Sequence, residues 1–263
     1  MIVALCSNQL AIGLEGRRYG GVQPPLHTET FDKGTGNAWE HAAQHLSAWL
    51  EENRSLSGQS ATIILSNRLT RFCIVPWANT VQRDDETYAL AVACFESQYG
   101  DMSDWTIRID DGGFGYPRFA CAIQTDLLAT LRSIVQTYGL RCRRIEPFFL
   151  TCWNRYFKQI EGDEAIFAVE EADALIIATF MQDRWRSIRT VHGPRHLEDM
   201  ALVLKREALL QLLPEATGTW LCSAQAPDTV RSVLPLFTAL SPAGRGSISL
   251  CTADFMLMMG TSQ

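Results

Sequence analysis

Apolar positions along this chain recur with two periods, two residues and between three and four, and the switches between them mark out its elements. Residues 2–6 and 10–14 are short apolar runs parted by Ser7-Asn8-Gln9, and Glu15-Gly16 allows a third strand from Arg17, so the chain opens as a tight β-meander. A loop rich in Gly, Pro and Thr follows. Asn37 then precedes Trp39, Ala42, Leu46, Trp49 and Leu50 at helical spacing, with Glu40 three residues on as a capping partner. Residues 61–65 are wholly apolar and predict a buried strand; Ser66-Asn67-Arg68 turns it into the alternating Phe72, Ile74 and Pro76. Asp84-Asp85-Glu86 opens a helix whose apolar face is Tyr88, Ala91, Val92, Phe95 and Tyr99, closed by Gly100. Strands at 105–109 and 118–123 are joined by residues 110–117. Thr125 caps a helix through Leu128, Leu131, Val135 and Tyr138, a strand follows at 141–145, and Pro147 stands in the first turn of a helix that ends at Gly162.

The meander then returns. Residues 165–169, 174–179 and 185–191 repeat the strand, turn, strand, turn, strand order, and a helix over 197–213 and a strand over 219–222 complete it. The chain is therefore expected to be an α/β protein built from a duplicated β-β-β-α-β unit with a period of about 160 residues. Residues 1–160 form the first half and 161–263 the second. Residues 69–124 read as an α+β subdomain inserted into the first half after its fourth strand.

Composition narrows the function. The 263 residues are 47% hydrophobic and 20% charged, which suits a chain that folds throughout. A net charge of −6 lacks the positive field that neutralises phosphates, so nucleic acid is not an expected partner. The opening residues carry no basic segment and do not read as a secretion signal. No eighteen apolar residues run together, so no direct membrane insertion is expected. The eight cysteines show no Cys-x-x-Cys spacing and read as reduced thiols in a cytoplasmic protein.

Candidate chemistry is sparse. The glycine-rich stretch 110–117 follows a strand, as a phosphate cradle does, but a cradle needs a helix after it; Pro117 and another strand come instead, so it reads as a hairpin. His41 and His45 stand four apart on a predicted helix without a third ligand, and His192 and His196 straddle Gly193-Pro194, so no metal is assigned. Cys152 has Arg155 near it but no histidine and reads as core. Arg141, Arg143, Arg144, Arg155 and Lys158 form a basic run that suits an acidic partner or an ordinary charged face.

Five segments carry a resemblance: ILSNRLTRFCIVPW (64–77), ESQYGDMSDWTIRID (96–110), YPRFACAI (116–123), GLRCRRIEPFFLTCWN (139–154) and DRWRSIR (183–189). They resemble proteins related to the type IV pilus assembly protein PilM and the cytoplasmic part of the type II secretion protein GspL, degenerate members of the actin, Hsp70 and sugar-kinase superfamily. The resemblance implies an RNase H-like, actin-like fold and a cytoplasmic platform at the inner face of the bacterial inner membrane. It implies partners too: the cytoplasmic tail of an inner-membrane assembly protein, and an assembly ATPase. The inserted region 69–124 is expected to form one wall of a partner groove, with Trp77, Trp105 and Phe114 as candidate contacts because aromatic side chains supply binding hot spots; all three read equally well as core. Pairing of two copies through an open strand edge is a further possibility.

Nucleotide-binding members of that superfamily begin each meander with an Asp-x-Gly type turn, where glycine lets backbone N–H groups approach the phosphates. Here Ser7-Asn8-Gln9 stands at the first turn, and Glu170-Glu171-Ala172-Asp173 at the second. Neither has the glycine. A carboxylate about 5 Å from a phosphate charge costs on the order of 3 kcal/mol at an effective dielectric near 20. Ser7, Asn8, Glu170, Glu171 and Asp173 therefore read as degenerate phosphate turns, the acidic one a solvent-facing bend, with no catalytic residue and no cofactor expected. The rival reading is an ATP-binding or phosphotransfer enzyme with divergent phosphate loops.

Overall fold

The computed structural model describes residues 1–14, 25–32, 37–81, 83–160, 162–171, 174–182, 184–193, 196–214, 217–224, 230, 237–240 and 256. In chain order they form β1 (Ile2–Leu5), β2 (Gln9–Gly13), β3 (His27–Thr30), α1 (Ala38–Glu52), β4 (Ser60–Leu65), β5 (Thr70–Val75), α2 (Asp84–Tyr99), β6 (Trp105–Ile109), β7 (Arg118–Gln124), α3 (Thr125–Thr137), β8 (Arg141–Pro147) and α4 (Phe148–Tyr156). Then come β9 (Glu164–Glu171), β10 (Ala174–Met181), β11 (Arg184–His192), α5 (Leu197–Leu210), β12 (Gly218–Cys222) and β13 (Phe237–Leu240).

Two five-stranded sheets have the same plan. The first runs β3-β2-β1-β4-β8 and the second β11-β10-β9-β12-β13. In each, the first three strands are antiparallel neighbours, and the first strand then takes a parallel partner on its other side: Ile2↔Thr62 to Leu5↔Leu65 in one sheet, Gly218↔Ala165 to Cys222↔Val169 in the other. The duplication expected from the pattern of elements is present and reaches a fifth strand, β13, which sequence periodicity did not single out. A third sheet, β5-β7-β6, carries α2 on a core of Cys73, Val75, Phe95, Met102, Ile107 and Ala120. That is the inserted α+β element.

Strand position explains strand composition. Central strands have neighbours on both sides and cover on both faces, so β1, β4, β9 and β10 are nearly continuous apolar runs. The edge strands β3, β8 and β11 are mostly polar. β3, with the sequence HTET, lies in the stretch read as loop, because an edge strand needs no apolar face to be recruited. The strand expected from Arg17 lies outside the described residues.

By internal contacts the chain forms two compact units, residues Met1–Thr70, Gln124–Phe157 and Ser241–Gln263 in one, Arg71–Ile123 and Lys158–Leu240 in the other. In the first unit, α1 buries Trp39, Ala42, Leu46 and Leu50, and α3 buries Leu127, Leu128, Leu131 and Val135. Asn37 precedes α1 and donates through Nδ2 to Glu40 Oε1 at 2.7 Å, a side-chain pair only: the expected cap is not formed, since the Asn37 side chain makes no hydrogen bond to the helix backbone. His45 does not stand with His41 as a ligand pair: its Nδ1 lies 3.0 Å from Glu29 Oε1 on β3, and its ring stacks on Phe31 at 4.1 Å.

In the second unit, α5 packs Leu197, Met200 and Leu204 onto Ile166, Ala168, Leu175, Ile177 and Leu221. The same helix buries Glu207 completely, where it meets Arg189 of β11, and Gln211 Nε2 donates to the other carboxylate oxygen at 3.1 Å. On α2 the buried stripe is Thr87, Ala91 and Phe95, whereas Tyr88 and Tyr99, expected on the apolar face, are exposed. Their rings are amphipathic, and Tyr99 sends its hydroxyl back to Phe72 O at 3.1 Å.

Candidate functional site

In open α/β sheets, ligands bind outside the carboxyl ends of the parallel strands. In the first unit those ends belong to β1, β4 and β8, and the residues there are Cys6 to Asn8, Ser66-Asn67 and Glu146-Pro147. Cys6 N donates to Gln9 O at 2.9 Å and Phe31 N to Asn8 O at 3.0 Å, which closes the turn with Ser7 buried. Ser66 Oγ accepts from Arg68 N at 3.2 Å. Asn67 Oδ1 accepts from Phe149 N at 2.8 Å, and Glu146 Oε1 accepts from the Thr151 hydroxyl at 3.0 Å. Each of these polar groups is turned toward its own scaffold.

Glu146 is the residue that sequence reading passed over. A carboxylate at the end of a strand, directly before the proline that opens a helix, is a legible signal, but the charged run around it hid it. Burial pushes its carboxyl above the ordinary glutamate range, and Arg144, whose Nε lies 3.4 Å from Oε2, pulls it back only in part together with Thr151 and Arg143. A carboxyl raised in this way holds its full contribution to stability below the unfolded pKa and loses it as pH climbs through the folded one. Glu146→Gln, which keeps an acceptor for Thr151, is therefore expected to gain stability relative to wild type between about pH 4 and pH 7. Thermal melts of both proteins at the two pH values check this; a constant gap between them would refute it.

In the second unit the corresponding ends are those of β9 and β12. Glu170 and Glu171 are strand residues, paired with Leu175 and Ala174, and do not form the bend; Asp173 lies outside the described residues. Nor is the cluster solvent-facing, since Glu171 is 3% exposed and Glu170 accepts a hydrogen bond from the buried Ser223 hydroxyl. β9 runs two residues past its apolar run because β10 pairs with it through Glu171, whereas its pairing with β12 ends at Val169.

The most open feature of the same unit is aromatic. Residues 110–117 form the hairpin between β6 and β7: Asp110 N donates to Phe119 O at 2.9 Å, Asp110 Oδ1 accepts from Phe119 N at 3.0 Å, and Gly115 takes the left-handed conformation at φ 83° that admits the tight tip. A strand, not a helix, follows the loop in the chain. Phe114 is 86% exposed and meets the half-buried Trp77 edge-on at 4.7 Å between ring centroids. Beside them a small groove, with room for about one water molecule, is lined by Val75, Trp77, Thr87, Leu90, Tyr116 and Arg118, among others. Arg184 lies 4.0 Å over the Tyr116 ring and fixes that wall.

Of the three predicted contacts, the structure brings two together. Trp105 is held elsewhere, against the core of the inserted sheet, with Arg71 stacked over its ring at 5.1 Å and over Tyr99 at 5.3 Å. Among the described residues no group of three or more His, Cys, Asp or Glu is arranged to hold a metal ion. No described helix is long and apolar enough to cross a membrane.

Comparison with known proteins places the architecture. No protein-family model matches the chain, and no curated protein matches it by sequence. Solved structures do. A Bacteroides thetaiotaomicron protein with an actin-like ATPase fold is 10% identical, with 93% of this chain and 92% of that one covered at a TM-score of 0.58. The PilM–PilN type IV pilus biogenesis complex gives 12% identity, 98% and 96% coverage and 0.57. The cytoplasmic domain of EpsL, an inner membrane component of the type II secretion system of Vibrio cholerae, gives 11%, 100% and 94%, and 0.54. At such identities the likeness establishes the fold: the chain has the actin-like, RNase H-like architecture expected of its duplicated pattern.

Proposed function

We propose that this protein is a non-enzymatic platform of a type IV pilus or type II secretion-like envelope assembly, working through protein contacts at the inner face of the inner membrane. Its partner is the cytoplasmic tail of an inner-membrane assembly protein. The observation that carries this reading is the Trp77–Phe114 pair: an aromatic 86% exposed at a hairpin tip, beside an apolar groove, is costly to leave in water and is the chemistry of an anchor site. Ser66, Asn67 and Glu146 at the strand ends of the first sheet, each bonded to its own scaffold, support it further. In binding assays with short cytoplasmic tails of membrane proteins encoded beside it, one tail is expected to bind, and Trp77→Ala with Phe114→Ala to weaken it at least about tenfold. Failure of every such tail to bind would refute the platform reading.

Glu146 favours the second reading, a nucleotide-binding or phosphotransfer enzyme. It is a half-buried carboxylate with raised proton affinity at the carboxyl end of a parallel strand. Calorimetry with Mg-ATP separates the two: heat of binding that disappears in Glu146→Gln would establish the enzyme reading, and no heat is expected.

A further inference from the structure

α5 shows solvent a face with an internal order of its own. Glu198, Asp199, Leu202, Lys205, Arg206 and Leu209 are all exposed, Leu202 at 68% and Leu209 at 74%. Residues seven apart on a helix nearly superimpose, drifting by only about 20°. Leu202 and Leu209 therefore form a central apolar line, with Glu198 and Lys205 along one flank and Asp199 and Arg206 along the other. Each flank is acidic toward the N-terminus and basic toward the C-terminus. Among the described residues, no ion pair or hydrogen bond engages any of these four charged side chains.

We infer that this face is a self-association surface, and that its occupant is the α5 helix of a second copy of the chain, packed antiparallel across a two-fold axis at Leu202. In that arrangement each flank meets its own equivalent with the direction reversed. Glu198 then faces the second copy's Lys205, and Asp199 faces its Arg206, so four ion pairs surround a leucine pair. The charges also choose the register. Sliding the helices so that Leu202 meets Leu209 would bury more apolar surface, but would set Lys205 against Lys205 and Arg206 against Arg206. A heterologous helix would have no reason to find acid and base distributed symmetrically about one residue.

The helix is about 21 Å long, too short to bury the area of a permanent interface, so the dimer is weak, half-formed on the order of 100 µM. Sedimentation equilibrium of the full chain, from about 10 µM to about 1 mM, is expected to show the mass rising from 29.4 kDa toward twice that value. Association should weaken several-fold as salt is raised from about 0.05 to about 0.5 M. K205E/R206E makes the face wholly acidic and E198K/D199K makes it wholly basic. Each variant alone is expected to dimerise at least about tenfold more weakly, and an equimolar mixture to recover the dimer. L202D, with no effect on helix charge at either end, should also dissociate it. Circular dichroism confirms that each variant keeps its helix content. A wild-type chain that stays monomeric throughout, single-sign variants that still pair, or a mixture that fails to recover would each overturn the inference.

Discussion

Arg189→Leu is expected to destabilise the protein by about 3 kcal/mol, far more than a surface charge is worth. Glu207 sits on α5 with no exposed surface, and the guanidinium of Arg189 on β11 is the cation that meets it. Gln211 supplies one further donor, at 3.1 Å, and is itself held by Arg186 Nε at 3.2 Å. Remove Arg189, and a buried carboxylate keeps only a neutral amide against the cost of leaving water. The reverse change should be milder. Arg189 is 38% exposed, so in Glu207→Gln the guanidinium reaches solvent and the loss is about 1 kcal/mol. Replacing both residues by leucine removes the desolvation cost along with the attraction and should return stability to within about 1 kcal/mol of wild type. Urea denaturation of the four proteins, read at constant m, checks the asymmetry. Equal losses for the two single variants would show that the pair is not buried on the carboxylate side.

This pair also shows where sequence reading stops. Leu197, Met200, Leu204 and Glu207 follow one another at helical spacing, so a carboxylate on the buried stripe was legible and called for a cation; which cation it was depended on how β11 lies against α5. Element order and the duplication were legible because central strands and amphipathic helices write their burial into their composition. β3 was not, since an edge strand can be polar on both faces. Glu170 and Glu171 look like turn residues by composition, yet pairing with β10 carries the strand through them. The aromatic site was half legible. Trp77 and Phe114 stood out as aromatic side chains of the inserted region, but periodicity cannot say that they touch, or that Trp105 is occupied by Arg71.

A long-range bond of the candidate site carries the other large effect. Asn67→Ala is expected to cost about 2 kcal/mol, the penalty for leaving a buried backbone donor without an acceptor. α4 begins after Pro147, which has no side-chain oxygen to cap the helix, so the first-turn N–H of Phe149 must find its acceptor elsewhere. It finds Asn67 Oδ1 at 2.8 Å, from the turn between β4 and β5, 82 residues away in sequence. That turn is held in place by its own bonds: Ser66 Oγ takes the Arg68 N–H, and the Thr70 hydroxyl donates to Asn67 O at 3.1 Å. The cap therefore ties the carboxyl end of β4 to α4, the helix that follows its sheet neighbour β8. Asn67→Ser keeps a polar group but shortens the reach by one heavy atom, so it should lose nearly as much as alanine. Were burial of a polar group the whole matter, serine would behave like asparagine. Amide hydrogen exchange gives the local reading: in both variants Phe149 N–H should exchange faster by a larger factor than the amides of α3, which the substitution does not touch. A uniform increase across the first unit would mean that Asn67 contributes to global packing alone and caps nothing.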